Sequence, residues 1–245
     1  MQRLSKRLQA VADYVTEGNR VVDVGTDHAY IPIYLLQSGK IPSAIAADIG
    51  KGPLERAKEN IAENGLTDRI DTILSDGLKK INTDYESLVI AGMGGMLVKN
   101  ILEADPVKTA SFQEMILEPQ SDLGEVRKYL RQHGYQIHEE NMVLEEGKYY
   151  PIMHVLPSSD ENEEVYSEEN QDSKLYDRYG FHLIQKASPV LLSYLQKEEK
   201  EKQKVMTRLE EISEKSLALE ERMERLQEDL IMNCMAQKMI CDRTE

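Results

Sequence analysis

Short apolar runs alternate with helix-like segments through the first 157 residues, and this alternation limits the possible folds more than any other feature. The runs are rich in Val, Ile, Leu and Ala and read RVVDVG, AIAADI, DTILSDG, SLVIAGMGG and EMILEP. Between them lie the helix-like stretches IPIYLLQSGK, KGPLERAKENIAENG, GMLVKNILEAD and SDLGEVRKYLRQHG. Continuous β-branched runs are typical of strands buried on both faces of a parallel sheet. We therefore predict a doubly wound α/β domain.

Two further segments complete this predicted domain. The segment QIHEENMVLEEGKYYPIMHVLP contains two strand-like pieces around Glu146-Gly147, which predicts a hairpin at the end of the sheet. Near the N-terminus, apolar residues recur at helical spacing over positions 4–15. Arg3, Lys6 and Arg7 stand at i, i+3 and i+4, so we expect them on another face of that helix.

The distribution of glycines and charges divides the chain. Ten of the 14 Gly precede residue 100, and none follows Gly180. Segment 158–172, SSDENEEVYSEENQD, has seven acidic residues, no basic residue and one aliphatic residue. Such a segment buries too little apolar surface to offset its ordering entropy. We therefore expect one domain over 1–157, an acidic linker or loop over 158–172 and a helical domain over 173–245.

The C-terminal segment is predicted to form a coiled coil. Residues 190–245 contain neither Gly nor Pro. Positions 191 to 230, taken in alternating steps of four and three, are apolar in nine of twelve cases, which is typical of a coiled-coil seam. One continuous helix and an antiparallel hairpin turning near Ser213 to Ser216 both satisfy this pattern, and we expect the hairpin. A monomer is then expected, with a dimer through the coiled coil as the alternative.

The overall composition excludes some classes of protein. The chain has 30 basic and 44 acidic residues and a net charge of −14, which excludes a globally basic nucleic-acid binder but not a local basic patch. No apolar run approaches the ~18 residues of a membrane-spanning helix, and the N-terminus lacks the apolar region of a signal peptide. Cys234 and Cys241 lie one heptad apart and predict neither a disulfide nor a metal site. We expect a cytoplasmic protein with no membrane segment and no metal. Four histidines without ligand spacing are expected at the surface or in loops: His133, His138, His154 and His182.

The ends of the first four predicted strands carry the candidate binding residues. Ligands of an open α/β sheet bind outside the carboxyl ends of its strands. Gly25 allows a tight turn after the first strand. Asp48 follows the second strand, where an acid accepts hydrogen bonds from ribose hydroxyls, and Asp76 follows the third, where it is placed to accept from an adenine amino group. The alternative is that Asp23, Asp48 and Asp76 only cap the helices that follow.

The residues that follow the first strand distinguish between NAD and S-adenosyl-L-methionine as the cofactor. A dinucleotide site needs a third Gly for close approach around the pyrophosphate, but the corresponding positions after Gly25 hold Asp27 and Ala29. An anionic side chain repels a pyrophosphate and complements a sulfonium group that carries an α-amino group. The residues therefore favour S-adenosyl-L-methionine over NAD.

The segments DVGTDHAYIP, ADIGKGPLERAKENI, SDGL, VIAGMGG and LEPQ resemble those of the bacterial tRNA adenine-N1 methyltransferases that act on A22, the TrmK family. The resemblance covers the whole chain, including a helical tail like that family's coiled coil. It implies a Rossmann-like class I methyltransferase with a seven-stranded sheet, S-adenosyl-L-methionine as cofactor and tRNA as partner. At 92–95 the chain has Gly-Met-Gly-Gly, where generic base N-methyltransferases carry an Asn/Asp-Pro-Pro-aromatic motif. The implied donor pocket comprises Gly25, Asp27, His28, Asp48, Asp76, Gly77, Gly92 and Met93, together with Ile49 beside Asp48.

The reaction assigns further roles. Adenine N1 is a nucleophilic ring nitrogen that must be unpaired to reach the methyl group, and transfer then depends on alignment. Because the methylated ring is cationic, we expect Asp27 and His28 to stabilise the positive charge that develops on it. The alternative is that Asp27 only anchors the amino group of the donor. Met93 is expected to pack on an adenine or in the core. Phosphate contacts are expected from one basic cluster, Arg3, Lys6 and Arg7, or from a second, Arg127, Lys128 and Arg131.

Three classes of function stay open at this point. Transfer of a methyl group to N1 of adenine 22 in tRNA is the leading hypothesis. A methyltransferase of small molecules or proteins is the second, favoured by the net charge of −14. A non-catalytic protein that binds partners through its coiled coil is the third. For the segment Glu118-Pro119-Gln120 we favour a plain turn over a role facing the substrate.

Overall fold

The computed structural model describes residues 2–82, 84–158, 171–212 and 216–243. The chain separates into two compact units, Met1–Glu169 and Asn170–Glu245, which are described in turn. Most of the acidic linker predicted over 158–172 lies outside the described residues. No described helix is long and apolar enough to cross a membrane.

The first unit contains seven strands and six helices among its described residues. The strands are β1 (Val21–Val24), β2 (Ala44–Asp48), β3 (Ile70–Leu74), β4 (Ser87–Met93), β5 (Glu114–Pro119), β6 (Tyr135–Glu145) and β7 (Lys148–Pro157). The helices are α1 (Lys6–Tyr14), α2 (Tyr30–Gln37), α3 (Lys51–Glu63), α4 (Gly95–Ala104), α5 (Pro106–Thr109) and α6 (Leu123–Gln132). Each apolar run named above forms the strand predicted from it.

The strands form one seven-stranded sheet in the order β3-β2-β1-β4-β5-β7-β6. Strands β1 to β5 are parallel, β7 is antiparallel to β5, and β6 is antiparallel to β7. This order confirms the doubly wound sheet with an antiparallel last hairpin. The direction of strand order reverses between β1 and β4, which is where such sheets bind ligands.

Alternate residues of the inner strands enter two separate hydrophobic cores. Leu88 and Ile90 of β4 lie in the core with residues of α4 and α6, whereas Val89 lies in the core with residues of α1, α2 and α3. Every position of β1 is buried. Burial on both faces explains why these runs are continuously apolar instead of alternating.

The first helix begins at Lys6, later than the sequence pattern suggests. The Ser5 hydroxyl accepts a hydrogen bond from the Leu8 amide, and Glu145 Oε1 accepts one from the Lys6 amide at 2.6 Å. A serine in this role marks the N-terminal limit of the helix, because its own backbone is not helical. The prediction that Arg3 shares a helix face with Lys6 and Arg7 is therefore wrong, since Arg3 precedes the helix.

The second unit contains α7 (Gln171–Tyr179), α8 (Phe181–Gln185), α9 (Pro189–Glu210) and α10 (Leu217–Cys241) among its described residues. Asn233 Nδ2 donates to Leu195 O at 3.0 Å, and Lys202 Nζ donates to Asp229 Oδ2 at 2.8 Å. Residue numbers thus rise along α9 as they fall along α10, so the two helices are antiparallel. This confirms the hairpin over one continuous helix; residues 213–215 lie outside the described residues.

The three polar interruptions of the predicted seam have structural roles. Glu198 accepts a hydrogen bond from Asn233 Nδ2 at 2.8 Å, and Lys202 pairs with Asp229. The hydroxyl of Ser216 accepts from the Leu219 amide at the start of α10. Partly buried polar contacts between facing helices fix the register of the two helices more strictly than apolar contacts do.

Candidate active site

Gly25 forms the turn after β1 and has no room for a side chain. Its φ is +78°, and its amide donates to Ala47 O at 2.8 Å, which holds the turn against the end of β2. A Cβ at this position would overlap the terminal methyl group of Met93. The first and fourth strand ends therefore meet at Gly25, as the sequence predicts.

Asp48 lies at the end of β2, next to the third strand end. Its Oδ1 accepts a hydrogen bond from the Gly50 amide at 2.6 Å, and its backbone carbonyl accepts one from the Ser75 amide at 2.9 Å. The neighbouring Ile49 side chain is 71% exposed. A fixed carboxylate beside an exposed aliphatic surface suits a nucleoside, which presents ribose hydroxyls and a flat base.

Asp23 and Asp48 are not the capping residues of the helices that follow them. The residues that cap α2 and α3 are Ala29 and Gly50, and neither uses a side chain to do so. Asp23 lies within β1, where burial raises the pKa of its carboxyl to about 6, the Asp48 charge adds to this effect, and a hydrogen bond from Thr26 opposes it. N-capping therefore does not account for Asp23 or Asp48.

Asp27 is an exposed carboxylate held by two neighbours. Arg56 of α3 donates to Asp27 Oδ1, with its Nε at 3.1 Å, and His28 Nε2 lies 3.5 Å from Asp27 Oδ2. The His28 ring stacks on Tyr30 with 4.9 Å between the ring centroids. Sequence reasoning missed Arg56, although it lies within the motif ADIGKGPLERAKENI.

Asp76 and Gly77 follow β3. The Asp76 carboxylate is mostly exposed and pairs with Lys79. Gly77 has a φ of +55°, and a Cβ on it would lie 3.2 Å from the Ile101 side chain. The turn is thus closely packed on one side while its acid faces solvent, which leaves Asp76 accessible to a ligand.

These strand ends fit S-adenosyl-L-methionine. Asp27, Asp48 and Asp76 stand at or just after the ends of β1, β2 and β3, and the ligand carries a sulfonium group and an ammonium group. Opposite charges complement each other at such a site. Among the residues that the structure describes, no group of three His, Cys, Asp or Glu is arranged to hold a metal ion.

Arg7 and Glu118 form an ion pair that the sequence did not predict. Arg7 Nη1 lies 2.8 Å from Glu118 Oε2, and the guanidinium lies 5.3 Å from the centroid of the Tyr150 ring. Glu118 is the fifth residue of β5 and is completely buried, so the expectation of a plain turn is wrong for it. Burial raises the pKa of its carboxyl to about 6, while the Arg7 charge and the Gly92 amide oppose this.

Two other polar residues lie where the sequence did not place them. Arg127 is buried in α6 and pairs with Glu140 of β6 at 2.8 Å, so it does not belong to a surface basic cluster with Lys128 and Arg131. His154 lies in β7 and not in a loop; its side chain is mostly buried, and its Nε2 is 2.8 Å from Glu114 Oε2. Arg127 neutralises a carboxylate inside the domain, and His154 forms a hydrogen bond with another.

Known proteins are similar to this chain in sequence and in fold. Residues 4–153 match the family described as "Methyltransferase domain". The chain is 38% identical over 152 residues to the tRNA (adenine(22)-N(1))-methyltransferase of Bacillus subtilis. This match covers 62% of the chain and spans 64% of the length of the Bacillus protein.

Two solved structures extend the similarity to nearly the whole chain. The B. subtilis M1A22 tRNA methyltransferase TrmK superposes with a TM-score of 0.85 at 28% identity, covering 97% of this chain and 100% of that one. The Streptococcus pneumoniae protein Sp1610, in complex with S-adenosyl-L-methionine, superposes with a TM-score of 0.83 at 31% identity. That match covers 96% of this chain and 100% of the Streptococcus chain.

Proposed function

Since the chain belongs to the methyltransferase-domain family and, within it, to the TrmK family, we propose that it transfers a methyl group from S-adenosyl-L-methionine to N1 of adenine 22 in tRNA. The observation that carries this proposal is the meeting of the first, second and fourth strand ends at Gly25, whose amide donates to Ala47 O and whose Cβ position is covered by Met93. Bound there, the donor supplies an electrophilic methyl group on a positively charged sulfur.

Each strand-end residue binds a different part of the donor. Asp48 accepts hydrogen bonds from the ribose hydroxyls, because Oδ1 is already oriented by the Gly50 amide. Asp76 accepts from the adenine amino group of the donor, and Ile49 packs on its ring. Asp27 accepts from the ammonium group. The remaining predicted contacts lie at the strand ends or in the turns that follow them: Gly25, His28, Gly77, Gly92 and Met93.

The transfer itself needs alignment more than acid–base chemistry. Adenine N1 has its own lone pair, so the protein must hold an unpaired base in line with the methyl group and exclude water. The ring becomes cationic, and a carboxylate near it lowers the energy of that charge. Asp27, together with the neighbouring His28, stabilises this positive charge, although Arg56 offsets part of the charge of Asp27.

The RNA contacts come from both units. Arg3 and Lys6 are exposed at the start of α1 and are proposed to contact phosphates, whereas Arg7 pairs with Glu118 instead. In the second unit, the exposed residues Arg222 and Arg225 are the proposed contacts. We propose that the protein acts as a monomer in the cytoplasm, with each unit contributing to tRNA binding.

A methylation assay tests this function directly. Purified protein is incubated with labelled S-adenosyl-L-methionine and an unmodified tRNA transcript that carries adenosine at position 22. The expected product is 1-methyladenosine at that position. The matched control is the same transcript with guanosine at position 22, whose N1 carries a proton and is no nucleophile. Equal labelling of both transcripts, or of neither, would contradict the proposal and favour a small-molecule or protein substrate.

A further inference from the structure

Gly92 forms a hollow at the exposed carboxyl end of β4. It lies at an irregularity in the β4–β5 register, between Ala91 and Met93, with a φ of +79°. A Cβ on Gly92 would lie 3.8 Å from Arg7 Nη1 and 3.8 Å from Gln120 Nε2. A guanidinium group and an amide group therefore border an exposed stretch of backbone that has no side chain of its own.

The side chain of Gln120 is exposed while its backbone is fixed. The Gln120 amide N–H donates to Met93 O at 2.8 Å, which ties it to the strand end whose side chain covers Gly25. Its side-chain amide makes no hydrogen bond with any residue that the structure describes. An amide in this position is anchored next to the donor pocket and is available to a ligand.

The chemistry of the substrate limits which of its edges the protein can bind. During transfer, the N1 lone pair forms the new bond to the methyl carbon, the carbon–sulfur bond breaks, and its electron pair stays on the sulfur. No proton has to leave, and the ring takes up the positive charge. N1 must therefore stay free of protein donors, so the base has to be recognised at its opposite edge. That edge presents the N6 amino group as donor and N7 as acceptor, which one Asn or Gln amide binds together.

We propose that Gln120 reads the N6 and N7 atoms of the target adenine at the Gly92 hollow, and that the Arg7–Glu118 pair positions this contact. The inference rests on the function proposed above and names a specificity-determining residue for it. The Gln120 carbonyl accepts from N6, and its NH₂ group donates to N7. Guanine presents an acceptor at both atoms, so the carbonyl of Gln120 would face another carbonyl oxygen.

Glu118 holds the Arg7 guanidinium in place and neutralises its charge. A free guanidinium binds the O6 and N7 atoms of guanine and repels a methylated, cationic adenine. Glu118 Oε2 holds Arg7 Nη1 at 2.8 Å, and Tyr150 lies along the guanidinium. The pair carries no net charge when both groups are ionised, and buried Glu118 acts through Arg7 without contacting the base.

Base analogues at position 22 test the contact atom by atom. 7-Deazaadenosine keeps N1 and N6 but lacks N7. We expect Gln120→Leu to lower kcat/KM for adenosine-22 tRNA by roughly 5- to 100-fold, the value of one bidentate base contact. The ratio of rates for adenosine and 7-deazaadenosine should fall in Gln120→Leu and in Gln120→Glu, which lacks the N7 donor. Comparing this ratio between variants removes the different intrinsic reactivity of the two bases.

Matched variants separate recognition from folding. Gln113→Leu changes an exposed glutamine at the other end of β5 and should leave the ratio and the rate unchanged. Glu118→Gln should also lower the ratio, because a released Arg7 no longer positions Gln120, and it should leave the affinity for S-adenosyl-L-methionine unchanged. The affinity for S-adenosyl-L-methionine by calorimetry and the unfolding free energy should be the same in Gln120→Leu as in the wild type. The affinity for adenosine-22 tRNA without the donor should fall in that variant.

Each outcome is decisive. A wild-type protein that does not methylate adenosine-22 tRNA would overturn both the proposed function and this inference. A wild-type protein that does so, with an unchanged rate ratio in Gln120→Leu and Gln120→Glu, would overturn the role of Gln120 alone. An equal loss for both bases in Gln120→Leu would also overturn it.

Discussion

The methyl group of Met93 lies over Gly25, in the space that a Cβ at position 25 would fill. The end of β4 can therefore pack against the end of β1 only because residue 25 has no side chain. Gly25→Ala would introduce a Cβ that displaces Met93, and it would place alanine at a φ of +78°, a backbone strain of about 1–2 kcal/mol. We expect this variant to lose at least about tenfold in affinity for S-adenosyl-L-methionine, measured by calorimetry, because the pocket wall moves.

Gly39→Ala is the matched control for Gly25→Ala. Gly39 has a φ of +76°, and nothing lies within 4 Å of its Cβ position, so the backbone strain is similar but no side chain is displaced. Its unfolding free energy should fall while its donor affinity stays at the wild-type value. Equal donor affinities for the two variants would show that Met93 does not shape the pocket.

Asp48 is expected to bind the ribose of the donor. Asp48→Ala should weaken S-adenosyl-L-methionine binding by roughly 1.5–3 kcal/mol, the range for a hydrogen bond to a charged group. Asp48→Asn keeps an oxygen for the Gly50 amide, so it should retain stability and still lose affinity. Asp71→Ala, which removes an exposed acid from the neighbouring strand β3, serves as the control. Calorimetry that gives the wild-type affinity for Asp48→Ala would exclude the assignment.

The strands and most helices could be predicted because their patterns are local. Five short apolar runs, of which the inner ones are buried on both faces, have few alternatives to a parallel sheet. The turn at Glu146-Gly147 follows from its glycine and from the strand-like pieces on either side. The spacing of the seam predicts the helices α9 and α10 but fits a continuous helix as well as a hairpin, and the interruptions at Glu198 and Lys202 are polar contacts of the hairpin.

The polar pairs could not be predicted because their partners lie on different elements that meet only in the folded sheet. Arg7 and Glu118 are 111 residues apart, and each alone has an ordinary interpretation, one as a surface cation and the other as part of a turn. Arg127 lies in a helix with a strongly one-sided apolar pattern, yet it points inward because Glu140 of β6 neutralises it. Burial of a charge depends on its partner, and the partner is known only once the sheet is assembled.

Glu114 is expected to contribute to stability in a defined pH range. Burial opposes its ionisation, but hydrogen bonds from His154, Ser87 and Thr16 outweigh burial and lower its pKa from 4.5 to about 2. Its folded pKa therefore lies below the unfolded value, so its contribution is complete above about pH 4.5 and is lost as the pH falls toward 2. This contribution is on the order of 3 kcal/mol.

Denaturant unfolding between pH 2 and pH 6 measures this effect. The unfolding free energy of the wild type should fall steeply as the pH drops from 4.5 to 2. Glu114→Gln should be less stable at pH 6 and should show a shallower fall, because the titrating group is gone. Parallel curves for the two proteins over this range would contradict the assignment. Glu118→Gln is a useful comparison, since the pKa of Glu118 is raised to about 6 and its loss should not flatten the acid limb.

Arg3 and Lys6 are expected to contact tRNA phosphates. Both side chains are exposed where the chain enters α1, and the chain has a net charge of −14, so attraction to RNA must be local and sensitive to salt. The double variant Arg3→Ala/Lys6→Ala should raise KM for tRNA and leave the affinity for S-adenosyl-L-methionine unchanged. The slope of log affinity against log salt should become shallower by roughly 1.5, at about 0.7–0.9 for each lost phosphate contact. Lys58→Ala/Lys80→Ala removes the same charge from two other exposed positions of the first unit and should keep the wild-type slope. If both double variants changed the slope equally, the effect would come from net charge, and the phosphate contacts would lie elsewhere.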